Sequence, residues 1–213
     1  MSLQMMSDRP SILLVGHPNV GKSALFNQLT GSGNIDSNVR SNKWSQQGFW
    51  PNFGESNVTE SNYPGTTVDY THGELQYQGE SIDVIDVPGT FSLSPKNASE
   101  EVAVEILEEH SDAVVVCVLD ATRIERGLNL LLEIIDDGYD VTVAANMIDE
   151  ARKQNIQIDV AHLEHILDVP VVPTVATTGE GLKDLVESIE AAHSPSLTAI
   201  QERTEGTKEA IEG

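Results

Sequence analysis

Gly16-His17-Pro18-Asn19-Val20-Gly21-Lys22-Ser23 follows the apolar run Ile12-Leu13-Leu14-Val15 and leads into Ala24-Leu25-Phe26-Asn27-Gln28-Leu29. That order predicts a strand, a glycine-rich turn and a helix, which together make a phosphate cradle. Gly16 and Gly21 let the backbone curl with its N–H groups turned inward, and Asn19, Val20 and Ala24 complete the lining. The new helix presents its positive end, Lys22 neutralises the β- and γ-phosphates, and the Ser23 hydroxyl is a ligand for Mg²⁺. The ligand implied is a nucleoside triphosphate.

Beyond this helix the apolar rhythm stops for residues 32–61, of which 16 are Ser, Asn, Gly or Gln. Such a composition cannot bury a core of its own. Yet Trp44, Phe49, Trp50 and Phe53 crowd together there and include both tryptophans of the protein. Two readings stand: a long surface loop whose aromatics fold back on the domain, or a flap that covers the nucleotide or binds a partner. Order returns at Asn62-Tyr63-Pro64-Gly65-Thr66-Thr67, and residues 68–77 and 81–86 then read as an antiparallel hairpin around Gln78-Gly79.

The hairpin ends in Asp86-Val87-Pro88-Gly89. A carboxylate at the carboxyl end of a strand beside a phosphate loop is placed to hold Mg²⁺ through a water, and Gly89 can offer its N–H to a γ-phosphate oxygen. Helical spacing over 99–109, a buried strand over 113–120, a helix through Leu128 to Ile135 and a strand over 141–145 follow. This alternation predicts a mostly parallel six-stranded sheet with one antiparallel strand and helices on both faces.

The strand at 141–145 runs into Asn146-Met147-Ile148-Asp149. Guanine presents N1–H and an exocyclic amine side by side, so one ionised carboxylate, Asp149, can accept both. Adenine offers neither donor and leaves that carboxylate unpaired. Asn146 is suited to tying this loop to the phosphate loop, Met147 to lying against the base, and the backbone at Ala176 and Thr177 to meeting guanine O6. His162 and His165 sit three apart on a predicted helix with no further ligands nearby and read as surface residues.

Composition narrows the alternatives. The 213 residues suit one α/β domain, and 12 Lys+Arg against 34 Asp+Glu leave a formal charge of −22. That charge repels nucleic acid and anionic membrane surfaces at long range, so no nucleic-acid partner is expected. It also suits a protein kept dispersed in concentrated salt. The single cysteine, Cys117, lies in an apolar strand and reads as a core residue in a reducing compartment. No apolar run is long enough to span a bilayer.

The ordered set of motifs resembles the G-protein fold, of the TrmE-Era-EngA-like group. Gly16-His17-Pro18-Asn19, Asn62-Tyr63-Pro64-Gly65-Thr66-Thr67, Asp86-Val87-Pro88-Gly89-Thr90-Phe91-Ser92-Leu93 and Asn146-Met147-Ile148-Asp149 are similar to the cytosolic G domain of the ferrous-iron transport protein B (FeoB) family. The methionine after Asn146, where most G proteins carry lysine, is the most specific of these details. The resemblance implies a P-loop GTPase domain over 8–193, with 32–61 an insertion before switch I. Residues 194–213 turn polar and read as a tail that frays or, by the resemblance, as the start of a helical domain. A permease elsewhere in the same polypeptide, a place at the cytoplasmic face of the cell membrane, and self-association through the membrane part are further implications.

By position, the resemblance makes Thr67 the residue that closes on Mg²⁺ and the γ-phosphate when GTP is bound and releases on hydrolysis to GDP. It makes Asn19 a ligand for K⁺, an ion that would do the work of an arginine finger. Lys22, Thr67, Gly89 and Asn19 are then the candidate catalytic set. Thr90 stands where faster G proteins hold a water-orienting glutamine, so slow intrinsic turnover, stimulated by K⁺ or a partner, is expected. Two other functions remain open at this point: a ribosome-assembly GTPase of the Era or Der kind, and a nucleotide-dependent binding module that barely hydrolyses.

Overall fold

A computed structural model describes residues 11–31, 58–77 and 80–212. The expectations about Trp44, Phe49, Trp50 and Phe53 lie outside the described residues. Strand β1 (Ser11–Val15) is buried along its whole length and stands at the centre of a sheet. Helix α1 (Lys22–Leu29) follows, then β2 (Thr59–Asn62), β3 (Asp69–Tyr77), β4 (Glu80–Asp86) and α2 (Ala98–Glu109). The remainder alternates: β5 (Val114–Asp120), a 3₁₀ turn (Ile124–Arg126), α3 (Leu128–Asp136), β6 (Asp140–Asn146), α4 (Ile148–Lys153), α5 (Val160–Leu167), β7 (Val171–Pro173), α6 (Leu182–Ile189) and α7 (Leu197–Glu212).

The strand order is β2-β3-β4-β1-β5-β6-β7. From β4 through β7 all neighbours pair in parallel, and β3 alone runs against the others. The single antiparallel strand is as expected; the count is seven strands rather than six. The added one is β2, whose Thr-Glu-Ser-Asn sequence carries no apolar alternation. It is an edge strand held by main-chain pairing to β3, with Thr59 opposite His72 and Asn62 opposite Asp69. β2 therefore begins within the segment expected to be an insertion.

Side chains alternate along β1 and divide the core. Leu13 and Val15 face a layer made by α2, α3, α5 and α7, together with Cys117 on β5. Ile12 and Leu14 face α1 and α6. Burial pushes the Cys117 thiol up to about 12, so it is an inert core residue as expected. The chain after residue 194 does not fray at once. Leu197 and Ile200 of α7 pack into the first layer, and Arg203 donates to Asp168 at 2.8 Å. The apolar positions are few but fall on one face, which suffices to dock a polar helix.

Successive strands leave β1 in opposite directions, toward β4 on one side and β5 on the other. At such a switch point the loops at the carboxyl ends part and open a crevice. The ends of β1, β4 and β6 all carry residues picked out from the sequence.

Candidate nucleotide site

The phosphate loop is shaped by contacts on both sides. Gly16 lies against the Val118 carbonyl of β5 so closely that a side chain there would collide with main chain. Gly21 has φ +92°, and a Cβ would run into the Asn146 amide. Gly16 is demanded by the approach of main chain, and Gly21 by the buried Asn146 side chain and by its left-handed conformation. Asn19 is left-handed too, at φ 66°, and is exposed on the lip of the loop. Ser23 and Ala24 lie in the first turn of α1, with Ser23 exposed.

Lys22 is only 7% exposed and its Nζ donates to the His17 carbonyl at 3.3 Å. Burial pulls its ammonium below the ordinary lysine range, with Asp86 opposing. Asp86, level with Leu14 in the sheet register, is its counterpart. Burial raises its carboxyl, while a hydrogen bond with Ser23 and the charge of Lys22 pull the other way. The Asp86 Oδ1 is buried and accepts no hydrogen bond among the described residues. A buried acceptor with no donor beside an exposed hydroxyl fits a hydrated Mg²⁺, whose waters would supply that donor. No group of three or more His, Cys, Asp or Glu side chains that could hold a metal occurs among the described residues. A site for Mg²⁺ here depends on Ser23, Asp86 and phosphate oxygens.

At the other end of the crevice stands Asn146, 2% exposed. Its Nδ2 donates to the Val20 carbonyl at 2.9 Å. Its Oδ1 accepts from the Thr174 hydroxyl at 3.3 Å and from the Ala176 N–H at 3.0 Å. One amide thus ties the phosphate loop to β6 and to the loop after β7. Met147 caps α4 at φ 63°, with its methyl group near Gly21. Asp149 lies in the first turn of α4, half-buried, with Lys153 Nζ 3.4 Å away. Ala176 is buried and Thr177 exposed.

The switch residues are less converged. Gly89 packs on Pro18 of the phosphate loop, and Thr90 donates its N–H to the Gly16 carbonyl at 3.3 Å. The Thr90 side chain is fully buried and its hydroxyl donates to the Ser92 carbonyl at 2.7 Å. Thr67, in contrast, is exposed on a turn closed by Tyr63 N–H to the Val68 carbonyl at 2.9 Å. That turn is fastened elsewhere, because the Tyr63 hydroxyl donates to Glu109 of α2 at 2.7 Å. This bond pushes the phenol up to about 12. Thr67 is thus left exposed on that turn.

Three contacts at the site escaped sequence reasoning. Besides Tyr63 with Glu109, the Ser92 hydroxyl and Leu93 N–H both donate to Glu133. His17 packs its ring 4.7 Å from Phe91, the one large hydrophobic side chain exposed among the described residues. Burial, followed by the charge of Lys22, lowers the His17 imidazole. No local pattern announces contacts between residues 40 to 74 positions apart. His162 and His165, meanwhile, are exposed on α5 as expected.

Comparison with known proteins bears on this arrangement. Residues 51–189 match the profile of ferrous iron transport protein B, and residues 11–46 match that of the 50S ribosome-binding GTPase. The Fe(2+) transporter FeoB of Leptospira biflexa is 35% identical over 176 residues, 82% of this chain and 22% of that protein. The G domain of the T. maritima FeoB iron transporter is 36% identical with a TM-score of 0.70, covering 86% of this chain and 98% of that one. The cytosolic domain of the T. maritima protein in its GMPPNP form is 36% identical with a TM-score of 0.69, over 85% of this chain and 63% of that one. The chain spans about a fifth of the length of the curated relatives it matches. No helix among the described residues is long and apolar enough to cross a membrane.

Proposed function

The chain belongs to the ferrous iron transport protein B family, and from that premise we propose that it is the guanine-nucleotide switch of an iron transporter, a slow Mg²⁺-dependent GTPase. The observation that carries this reading is Asn146, whose one buried side chain holds the phosphate loop against the loop after β7. A purine and its phosphates fit along such a crevice. Asp149 selects guanine through N1–H and the exocyclic amine, Met147 lies on the base, and the backbone at Ala176 and Thr177 meets O6.

At the phosphates, the N–H groups from Asn19 to Ala24 and the Lys22 ammonium hold the β- and γ-groups. Release of Lys22 from the His17 carbonyl lets it reach them, and the anionic ligand restores the charge balance that burial has disturbed. Ser23 and Asp86 would hold Mg²⁺, which when bound would supply positive charge against the phosphates. Gly89 directs its N–H at the γ-phosphate, and Thr67 swings in from its exposed position to complete the closed state. Thr90 orients no water, because its hydroxyl is spent on Ser92. Turnover is slow for that reason. Asn19 presents an amide oxygen at the exposed lip of the loop, a hard donor suited to K⁺, which would add positive charge beside the leaving phosphate. In the cell the domain works at the cytoplasmic membrane face, its partners being the helical and permease parts of the same polypeptide, with self-association through the membrane part.

Calorimetry with GTP, GDP and ATP in Mg²⁺ tests the binding half: guanine nucleotides bind far more tightly than ATP. Single-turnover hydrolysis in KCl against NaCl tests the catalytic half, and Asn19→Ala abolishes any difference between the salts. A K⁺-insensitive wild type removes the potassium role alone. The match of residues 11–46 to a ribosome-binding GTPase profile favours a second reading, RNA-directed assembly. Met147 and the charge of −22 oppose it, and capture of ribosomal RNA by the purified chain would establish it.

A further inference from the structure

Beyond Gly89 the chain forms a turn fastened at every step. A Cβ on Gly89 would lie 2.9 Å from the Pro18 ring, so its main chain is pressed on the phosphate loop. Thr90 N–H reaches the Gly16 carbonyl at 3.3 Å, and the Thr90 hydroxyl closes on the Ser92 carbonyl at 2.7 Å. The Ser92 hydroxyl then donates to Glu133, 2.9 Å from Oε2 and 3.1 Å from Oε1. Leu93 N–H donates to the same Oε2. Glu133 itself stands on α3, whose Leu130, Leu131 and Ile134 are fully buried. The carboxylate is thus mounted on a helix anchored in the core.

We infer that Glu133 is a positioning residue for γ-phosphate recognition. By holding Ser92 and Leu93 it fixes the turn over 89–93, and with it the direction of the Gly89 N–H. The inference rests on the role given to Gly89 above. An ionised carboxylate that takes two donors holds them more firmly than a neutral acceptor does. A donor already aimed where charge will sit costs no reorganisation when the ligand arrives. With the clamp gone, the turn must be ordered at the moment of binding, and affinity drops by that ordering cost. A nucleotide without a γ-phosphate makes no demand on Gly89 and is indifferent to the change.

The test compares GDP with GMPPNP on wild type, Glu133→Gln and Ser92→Ala, by calorimetry in Mg²⁺. Glu133→Gln preserves size while removing the charge and one acceptor. It should weaken GMPPNP about tenfold, the worth of one charge-assisted hydrogen bond, and leave GDP affinity unchanged. Ser92→Ala should shift GMPPNP in the same direction by less, and the double variant should lose less than the sum of the two. Equal weakening of both nucleotides makes Glu133 merely structural and overturns the inference, as does unaltered GMPPNP binding. Should Glu133→Gln not fold, the same two outcomes are read from Ser92→Ala. A wild type that binds neither guanine nucleotide overturns the proposed function itself, so the two failures are told apart by that arm.

Discussion

Asn146 is the residue on which most depends, because its side chain serves three separate segments from a buried position. Replacing it with Ala leaves the Val20 carbonyl, the Thr174 hydroxyl and the Ala176 N–H without their partner. At about 1–3 kcal/mol for each buried group left unsatisfied, partly relieved by relaxation, a loss of about 2–4 kcal/mol is expected in urea unfolding. Asp149 is the opposite case. It is half-buried and its one described partner is Lys153, a neighbour on the same helix. Asp149→Ala should leave the unfolding midpoint in place yet weaken GTP by at least about a hundredfold, from two charge-assisted bonds. Weak ATP binding should be untouched, so the ratio of the two affinities in calorimetry is the reading that decides.

Among the elements, those whose residues answer a local demand were legible. The phosphate loop needs glycine at two crowded points, a lysine and a hydroxyl, and each can be recognised without knowing its surroundings. The β3–β4 hairpin and the parallel strands followed from alternation and from apolar runs. What stayed hidden depends on distant partners. β2 is polar and exists because β3 offers it an edge. α7 is a helix of few apolar residues, secured by Leu197, Ile200 and the Arg203–Asp168 pair. That pair makes a pH prediction. The hydrogen bond from Arg203, foremost, holds the Asp168 carboxyl below its ordinary value. A depressed carboxyl stabilises the fold above its unfolded value, and the contribution disappears as pH falls through the folded one. The stability gap between wild type and Arg203→Ala, small because the pair is partly exposed, should therefore shrink as pH drops from about 6 to about 3. A gap that widened would assign Arg203 some other role.

At the scale of the whole molecule, 34 acidic against 12 basic side chains make self-repulsion a general cost of compactness. The Debye length shortens from about 10 Å at 0.1 M salt to about 3 Å at 1 M. The urea midpoint should rise over that range, and equally in KCl and NaCl. Only turnover should tell the two cations apart, which separates general screening from a seated ion. The sheet also has a direction. Asp86 and Asn146 stand where β4 and β6 finish, whereas His193, bonded to Val141, and Asp168, bonded to Arg203, lie where β6 and β7 start. Along the seven residues of β6 that is a gap of about 20 Å. The protein has a sensing pole and a mooring pole with a stiff plank between them. A helix tied at the mooring pole lies a strand's length from Asp86 and Asn146, so news of a nucleotide would have to cross the plank or pass along α3, against which that helix also packs.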